Sequence, residues 1–394
     1  MKLYNIDYTL KKLTVFFVFL ATIFSSFLDY ATPLSNTRLI FSLMFVFFFL
    51  LIILTEKPIQ INLPRIITPL ASYSIIFLFV SAFLVWNNFY SVNLYLSFYL
   101  ACIVYILDIK FFKKLLLGAI FIQVFFQLYE YSTISYLYEV VVKAYGNEFD
   151  LGLESMYLLR TKGLFEGPLT ASAFAIYVAY IFRHNPYIIS LALLSAILSN
   201  TRTGIITITL ILIAYMFFKF RINKISSALI FLIFLIGIFF IYSSVLPTIL
   251  SPAAIERLQE VGEFNNESNF KRVIYWNLGW NFYLNYELQN LFFGCSQCFG
   301  MEYNNSAEND WLMFLLELGM MGFLIYALPI IYIFYYSFYK KDYYALLLIS
   351  LLILNIFVYR QVSGAQTVIL HWILIFSFLK QLKLINKNLL KIKW

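Results

Sequence analysis

"SAENDWLMFLLELGMMGFL" (residues 306–324) passes from a polar segment into an apolar run that carries one carboxylate, Glu317, within it. Continued to residue 338, the run is too apolar for a soluble surface helix. At about 1.5 Å of rise per residue it is long enough to cross a hydrocarbon core of about 30 Å. Similar runs recur along the chain between short polar breaks. The 394 residues are 62% hydrophobic and 12% charged, with a mean hydropathy of +0.82, whereas a soluble domain is about 25% charged.

These features predict an all-α, polytopic integral membrane protein, a single membrane domain over residues 1–394 with about 12 transmembrane helices. The predicted spans are 13–28, 38–54, 67–86, 91–109, 112–130, 168–183, 187–200, 203–219, 225–246, 310–338, 343–360 and 363–380. The first follows Lys11 and Lys12 and has no small-residue cleavage site after a short apolar core, so it reads as a retained span and not as a signal peptide.

Charge fixes the expected orientation. With both termini in the cytoplasm, the inner segments hold 19 of the 28 Lys and Arg residues, in accord with the positive-inside rule. Only Asp7, Glu56, Asp108 and Asp342 of the 20 acids fall on that side, leaving the inside near +15 and the outside near −7. The pI of 9.1 therefore reports topology. A basic excess confined to cytoplasmic helix ends suits anionic lipid headgroups and gives no reason to expect nucleic acid as a partner.

Two connections are long, 131–167 and 247–309, and this orientation puts both outside. The first ends "LLRTKGLFEGP", where Pro168 can open a helix and Gly163 and Gly167 allow a tight re-entry, so that Arg160 and Lys162 form a cationic rim. Arg202 sits in "SNTRTG" (199–204) between two helix ends. The second long loop contains "NESNFKRVIYWNLGWNF" (266–282), a roughly helical apolar stripe that predicts a helix lying on the membrane surface and carrying Lys271 and Arg272.

Asp310 and Glu317 are seven residues apart, which places them on one helix face about 10 Å apart along the axis. Glu308 precedes that helix in the loop. A buried carboxylate can gain general-base character while nearby arginines oppose the shift. Plainer readings stand beside these: Arg160, Arg202, Arg272 and Arg360 can snorkel to headgroups, Glu317 can be an interhelical hydrogen-bonding partner, and Glu308 with Asp310 can cap a helix.

Planar guanidinium groups bind phosphate bidentately, so an outer arginine cluster beside lipid suggests an anionic lipid headgroup such as a pyrophosphate. His184 and His371 have no metal-ligand partner at useful spacing, and no metal or other cofactor is expected. Cys295 and Cys298 are spaced for a local disulfide or for half of a zinc set, and Cys102 reads as core. Walker, dinucleotide and G-x-S-x-G motifs are lacking, and no internal repeat relates the two halves.

Four motifs, taken in order, carry a resemblance. They are Arg160-x-x-Gly163-x-Phe165-x-x-Pro168, Ser199-x-x-Arg202-x-Gly204, Arg272-x-x-x-Trp276, and the opening stretch with Ala307, Asn309, Glu317, Gly319 and Gly322. In this pattern the chain resembles the superfamily of bacterial O-antigen polymerases and ligases. Ligases of that superfamily are thought to use a histidine near the acceptor hydroxyl, where this chain has Glu308, so the resemblance favours the polymerase (Wzy-type) branch. The glycine-rich turn before it is altered to Gly294-Cys-Ser-Gln-Cys-Phe-Gly300.

The resemblance implies a GT-C-like membrane glycosyltransferase in the bacterial inner membrane, with its site facing the periplasm and no metal requirement. It implies transfer of a growing glycan from undecaprenyl pyrophosphate to a new undecaprenyl-pyrophosphate-linked oligosaccharide, with the lipid bilayer as a partner and a chain-length regulator as a further candidate partner. Glu308, Asp310 and Arg272 are then the expected catalytic residues. Arg160, Lys162, Arg202, Lys271, Glu317 and Arg360 are the expected substrate-binding residues. A ligase acting on the lipid A core and a lipid-linked oligosaccharide flippase are the alternatives, although transporters bind near the bilayer midplane and these charges collect at the outer edge.

Overall fold

A computed structural model describes residues 2–25, 27–28, 36–55, 60–61, 63–64, 66–84, 89–132, 161–165, 167–219, 267–295, 298–304, 306–307, 309–358, 367–382 and 390–391. Its helices are α1 (Lys2–Phe19), α2 (Thr37–Thr55), α3 (Ile67–Leu84), α4 (Phe89–Ser132), α5 (Pro168–Ile181), α6 (Pro186–Leu198), α7 (Arg202–Lys219), α8 (Glu267–Leu284), α9 (Leu288–Phe293), α10 (Cys298–Tyr303), α11 (Asp310–Tyr339), α12 (Tyr343–Val358) and α13 (Val368–Gln381). A five-residue π-helical segment, Leu20–Phe24, continues α1. The two-residue strands β1 (Gln60–Ile61) and β2 (Leu390–Lys391) pair antiparallel, Gln60 opposite Lys391.

The helices α2, α7 and α11 are long and apolar enough to cross a membrane, and α5, α6, α12, α13 and most of α3 are shorter apolar helices. The distribution of side chains agrees with a lipid solvent. On α2, Leu43, Phe47 and Leu54 are exposed. On α4, Phe121, Phe125 and Leu128 face outward while Gln123 and Gln127 are wholly buried. Polarity on that helix is inverted relative to a soluble one, where the apolar stripe faces the core. The chain is a helical membrane protein.

Two compact units are present. One comprises Met1–Ser25, Ser35–Leu115 and Glu267–Trp394; the other comprises Ser26–Leu34 and Leu116–Asn266. In the first, α11 packs against α3, α8, α9, α12 and α13, and α1 packs against α2. The core of α13 is buried from Val368 to Leu379, and its Trp372 lies against Phe98 at 4.6 Å between ring centroids. In the second unit α5, α6 and α7 pack on one another around α5, which is buried from Ala171 to Ile181.

Local chemistry sets the ends of these helices. Pro168 and Pro186 occupy first helical positions, where the missing N–H costs nothing. Asn185 caps α6 by accepting from the amides of Tyr187 and Ile188 at 3.1 and 3.4 Å. The predicted spans 91–109 and 112–130 run together as α4, with non-helical backbone at Asp108, whose Oδ1 accepts from the Phe111 amide at 2.9 Å and so caps the second half. The helix predicted at 310–338 is present, but its backbone breaks at Gly319. The span predicted at 225–246 lies outside the described residues.

Gly204 lets α7 approach α5, because a Cβ there would overlap the Ser172 hydroxyl and would lie 2.8 Å from Thr201 Oγ1. Thr201 and Ser172 hydrogen-bond to each other at the same point. Gly204→Val should therefore lower stability by about 1–3 kcal/mol, the usual cost of overpacking. Thermal unfolding of the purified protein in detergent would read this, and a wild-type midpoint would show that the approach is not tight.

Candidate functional site

Within the second unit, the segment Thr161–Phe165 is buried throughout. Thr161 donates its amide and its hydroxyl to the carbonyl of Leu198, at 3.1 and 2.8 Å. Gly163 has φ +58°, and a Cβ there would lie 2.6 Å from the Gln123 carboxamide oxygen. Only glycine satisfies both the left-handed backbone and that approach. Phe165 then packs on Phe174 of α5, with ring centroids 4.8 Å apart.

The structure revises the expected role of Lys162 as part of an open cationic rim. Its side chain is buried, and burial pushes its ammonium below the ordinary lysine range while the Glu130 carboxylate beside it acts in the opposite sense. The Lys162 and Gly163 amides donate to Glu130 Oε2 at 2.9 and 2.8 Å.

Arg202 is half-buried at the first position of α7. A cation there opposes the helix dipole, which favours negative charge at that end, so helix stability does not explain its placement. The preceding turn is held by Asn200, in the left-handed region at φ +47°, a conformation that asparagine tolerates better than most residues.

In the first unit, α8 carries Arg272, which is half-buried, and Lys271. Phe270, Val273, Ile274, Trp280 and Leu284 form its exposed face. The opposite face meets the segment that enters α11: a Cβ on Gly279 would lie 2.9 Å from Leu312 Cδ2 and 3.3 Å from Ala307 Cβ. Tyr283, Phe299, Ala307, Leu312, Met313 and Leu316 form one buried cluster there.

The side chain that caps α11 is Asn309, accepting from the Leu312 amide at 3.1 Å. Asp310 occupies the first turn, where the helix dipole favours a carboxylate, and is completely buried. Glu317 is also buried, two residues before the break. The expected shared face is retained, since Asp310 to Leu318 is uninterrupted helix.

At the break, Gly319 has φ +65° and Gly294 has φ +79°. The two glycines interlock. A Cβ on Gly294 would overlap the Glu317 carbonyl, and one on Gly319 would overlap the Phe292 carbonyl. The turn after α9 thereby reaches the open helix, where the Cys295 amide donates to the Leu316 carbonyl at 2.9 Å and the Tyr286 hydroxyl donates to the same oxygen at 3.1 Å. Cys295 and Cys298 form a disulfide that closes this turn. Burial, then the neighbouring Glu317 and Tyr283, raise the Tyr286 phenol well above its ordinary range, so it stays a neutral donor.

Of the nine residues the sequence singles out, Arg160, Glu308 and Arg360 lie outside the described residues, as does the side chain of Lys271. Lys162 and Arg202 belong to one unit, and Arg272, Asp310 and Glu317 to the other. Sequence reasoning missed Gln123, Gln127 and Glu130. Their signal was available as a polar stripe at spacings of four and three in an apolar helix.

The fold and these charged positions define a helical membrane protein with buried carboxylates where one apolar helix begins. Residues 187–327 match the family model described as O-Antigen ligase (Wzy_C). The matched stretch runs from α6 into α11 and includes Arg202, Arg272, Asp310 and Glu317. It supports the O-antigen polymerase and ligase superfamily without separating the two activities. No curated protein and no solved structure matches the chain.

Gly319→Ala should destabilise the protein by roughly 1–2 kcal/mol, from the left-handed backbone alone, with more from the clash. Gly322→Ala, whose position has no positive φ, should cost less. Thermal unfolding in detergent compares them, and equal midpoints would show that the break is not a strained element.

Proposed function

We propose that the chain polymerises lipid-linked oligosaccharide repeat units of an O-antigen or similar surface polysaccharide at the periplasmic face of the bacterial inner membrane. The observation that carries this reading is the pair of buried carboxylates, Asp310 and Glu317, on the first turns of α11, inside the segment similar to the O-Antigen ligase family. A carboxylate buried at the start of an apolar helix is costly unless it serves a purpose.

In this reading the donor is a glycan on undecaprenyl pyrophosphate and the acceptor is the non-reducing end of a new lipid-linked unit. Glu308, with Asp310 as the second candidate, orients the acceptor hydroxyl and takes its proton, with Glu317 in support. The hydroxyl oxygen bonds to the anomeric carbon as the bond from that carbon to the pyrophosphate oxygen breaks. The leaving electron pair stays on undecaprenyl pyrophosphate. Arg160, Arg202 and Arg272 stabilise the developing negative charge, an effect strongest from preorganised cations in a site that excludes water. Lys162 supports the same site from within its segment. Lys271 and Arg360 complete the proposed substrate-binding set.

The about twelve spans, the periplasmic placement of the two long loops and the cytoplasmic termini complete the reading. The exposed apolar face of α8 suits a helix lying in the membrane interface. A ligase that transfers finished polymer to the lipid A core is the second reading, favoured by the description of the matching family. Glu308, where those ligases have histidine, speaks for the polymerase.

Deletion of the gene in its own strain, followed by gel analysis of the surface polysaccharide, separates the readings. A lipid A core capped with one repeat unit supports polymerase. Bare core with long polymer left on undecaprenyl pyrophosphate means ligase, and single units stranded on the inner leaflet mean flippase. Complementation with Glu308→Gln should fail to restore the ladder although the protein reaches the membrane; a normal ladder would remove Glu308 from the mechanism. Arg202→Lys and Arg272→Lys should lower chain synthesis by about 10²-fold if paired guanidinium contacts to phosphate are needed.

A further inference from the structure

Helix α4 carries Gln123, Gln127 and Glu130 on one face of an otherwise apolar turn sequence, and the reaction proposed above uses none of them. Gln123 and Gln127 are fully buried and Glu130 is half-buried. Three such side chains on a membrane helix are expensive unless each is paired.

Their partners lie on two segments. Gln123 Nε2 donates to the Lys162 carbonyl at 3.0 Å, and its Oε1 accepts from the Leu164 amide at 2.8 Å. Glu130 Oε2 accepts from the amides of Lys162 and Gly163. Gln127 Nε2 donates to Ser199 Oγ at 2.8 Å, and its Oε1 accepts from Ser195 Oγ at 2.7 Å. One face of α4 thus fixes the backbone that follows Arg160 and the turn that leads into Arg202. The second of these leads directly into Arg202, at the first position of α7.

We propose that Gln123, Gln127 and Glu130 are positioning residues that align the 161–164 segment and the turn into Arg202 for the donor's pyrophosphate. The inference rests on the proposed function and assigns none of the three a contact with substrate. The two amides donate to a charged acceptor, and hydrogen bonds to an ionised carboxylate are about twice as strong as those to a neutral oxygen.

Glu130→Gln keeps an oxygen for both amides and removes the charge. The test uses the full-length protein in phosphatidylethanolamine and phosphatidylglycerol vesicles, with lipid-linked repeat units isolated from the deletion strain as substrate and inorganic pyrophosphate as competitor. The variant should raise the KM for the lipid-linked unit about tenfold while kcat stays within about twofold, the pattern of lost ground-state binding. Inhibition by pyrophosphate should weaken by the same factor.

A lowered thermal midpoint with unchanged KM and unchanged pyrophosphate inhibition would make the stripe a folding element only and overturn the proposal. If Glu130→Gln does not accumulate in membranes, Gln127→Met carries the same test, and failure of both to accumulate also overturns it. A wild-type protein that neither elongates lipid-linked units nor responds to pyrophosphate would refute the proposed function itself.

Discussion

A backbone carbonyl or charged group enclosed by apolar side chains costs several kcal/mol unless another group pairs with it, and each unit meets that constraint at the place where its charged residues gather. In one unit the break at Gly319 exposes a turn of α11, and the Cys295 amide and Tyr286 hydroxyl supply donors to the Leu316 carbonyl. In the other, Gln123 and Glu130 take up the amides and a carbonyl of the 161–164 segment, which crosses buried surroundings without secondary structure of its own. Irregular backbone is stable at these two places because polar partners are brought to it.

Glycines make both arrangements sterically possible, for the same reason. Gly163 sits against Gln123, Gly294 against Glu317, and Gly319 against Phe292, each with positive φ. A side chain at Gly163 would displace the Gln123 carboxamide, and one at Gly294 or Gly319 would push apart the two backbones that meet at the break. The glycines of the motifs are therefore packing requirements first, and the charged residues beside them depend on that packing for their placement. The disulfide between Cys295 and Cys298 closes the same turn that approaches Gly319.

Much of this was legible in the chain. The apolar runs gave most of the helices that are described, since a hydrocarbon core demands length and hydrophobicity that sequence displays directly. The surface stripe of "NFKRVIYWNLGW" is the helix α8, and Asp310 and Glu317 share a face of α11 as their spacing requires. The break at Gly319 was not legible, because glycine is common in membrane helices without breaking them. Nor was the capping role of Asn309, overshadowed by the acids on either side. Lys162 looked like surface charge because its partner, Glu130, is distant in sequence.

The sequence by itself determined a helical membrane protein and the charged residue types that its connections carry, since these follow from composition, local spacing and the cost of moving charge into lipid. Only the tertiary structure decided which polar groups are spent on one another. Glu130 meets the 162–163 backbone across more than thirty residues of chain, and Gln127 meets Ser199 across more than seventy. Pairings of that range depend on how helices pack against each other, and no local pattern along the chain encodes them.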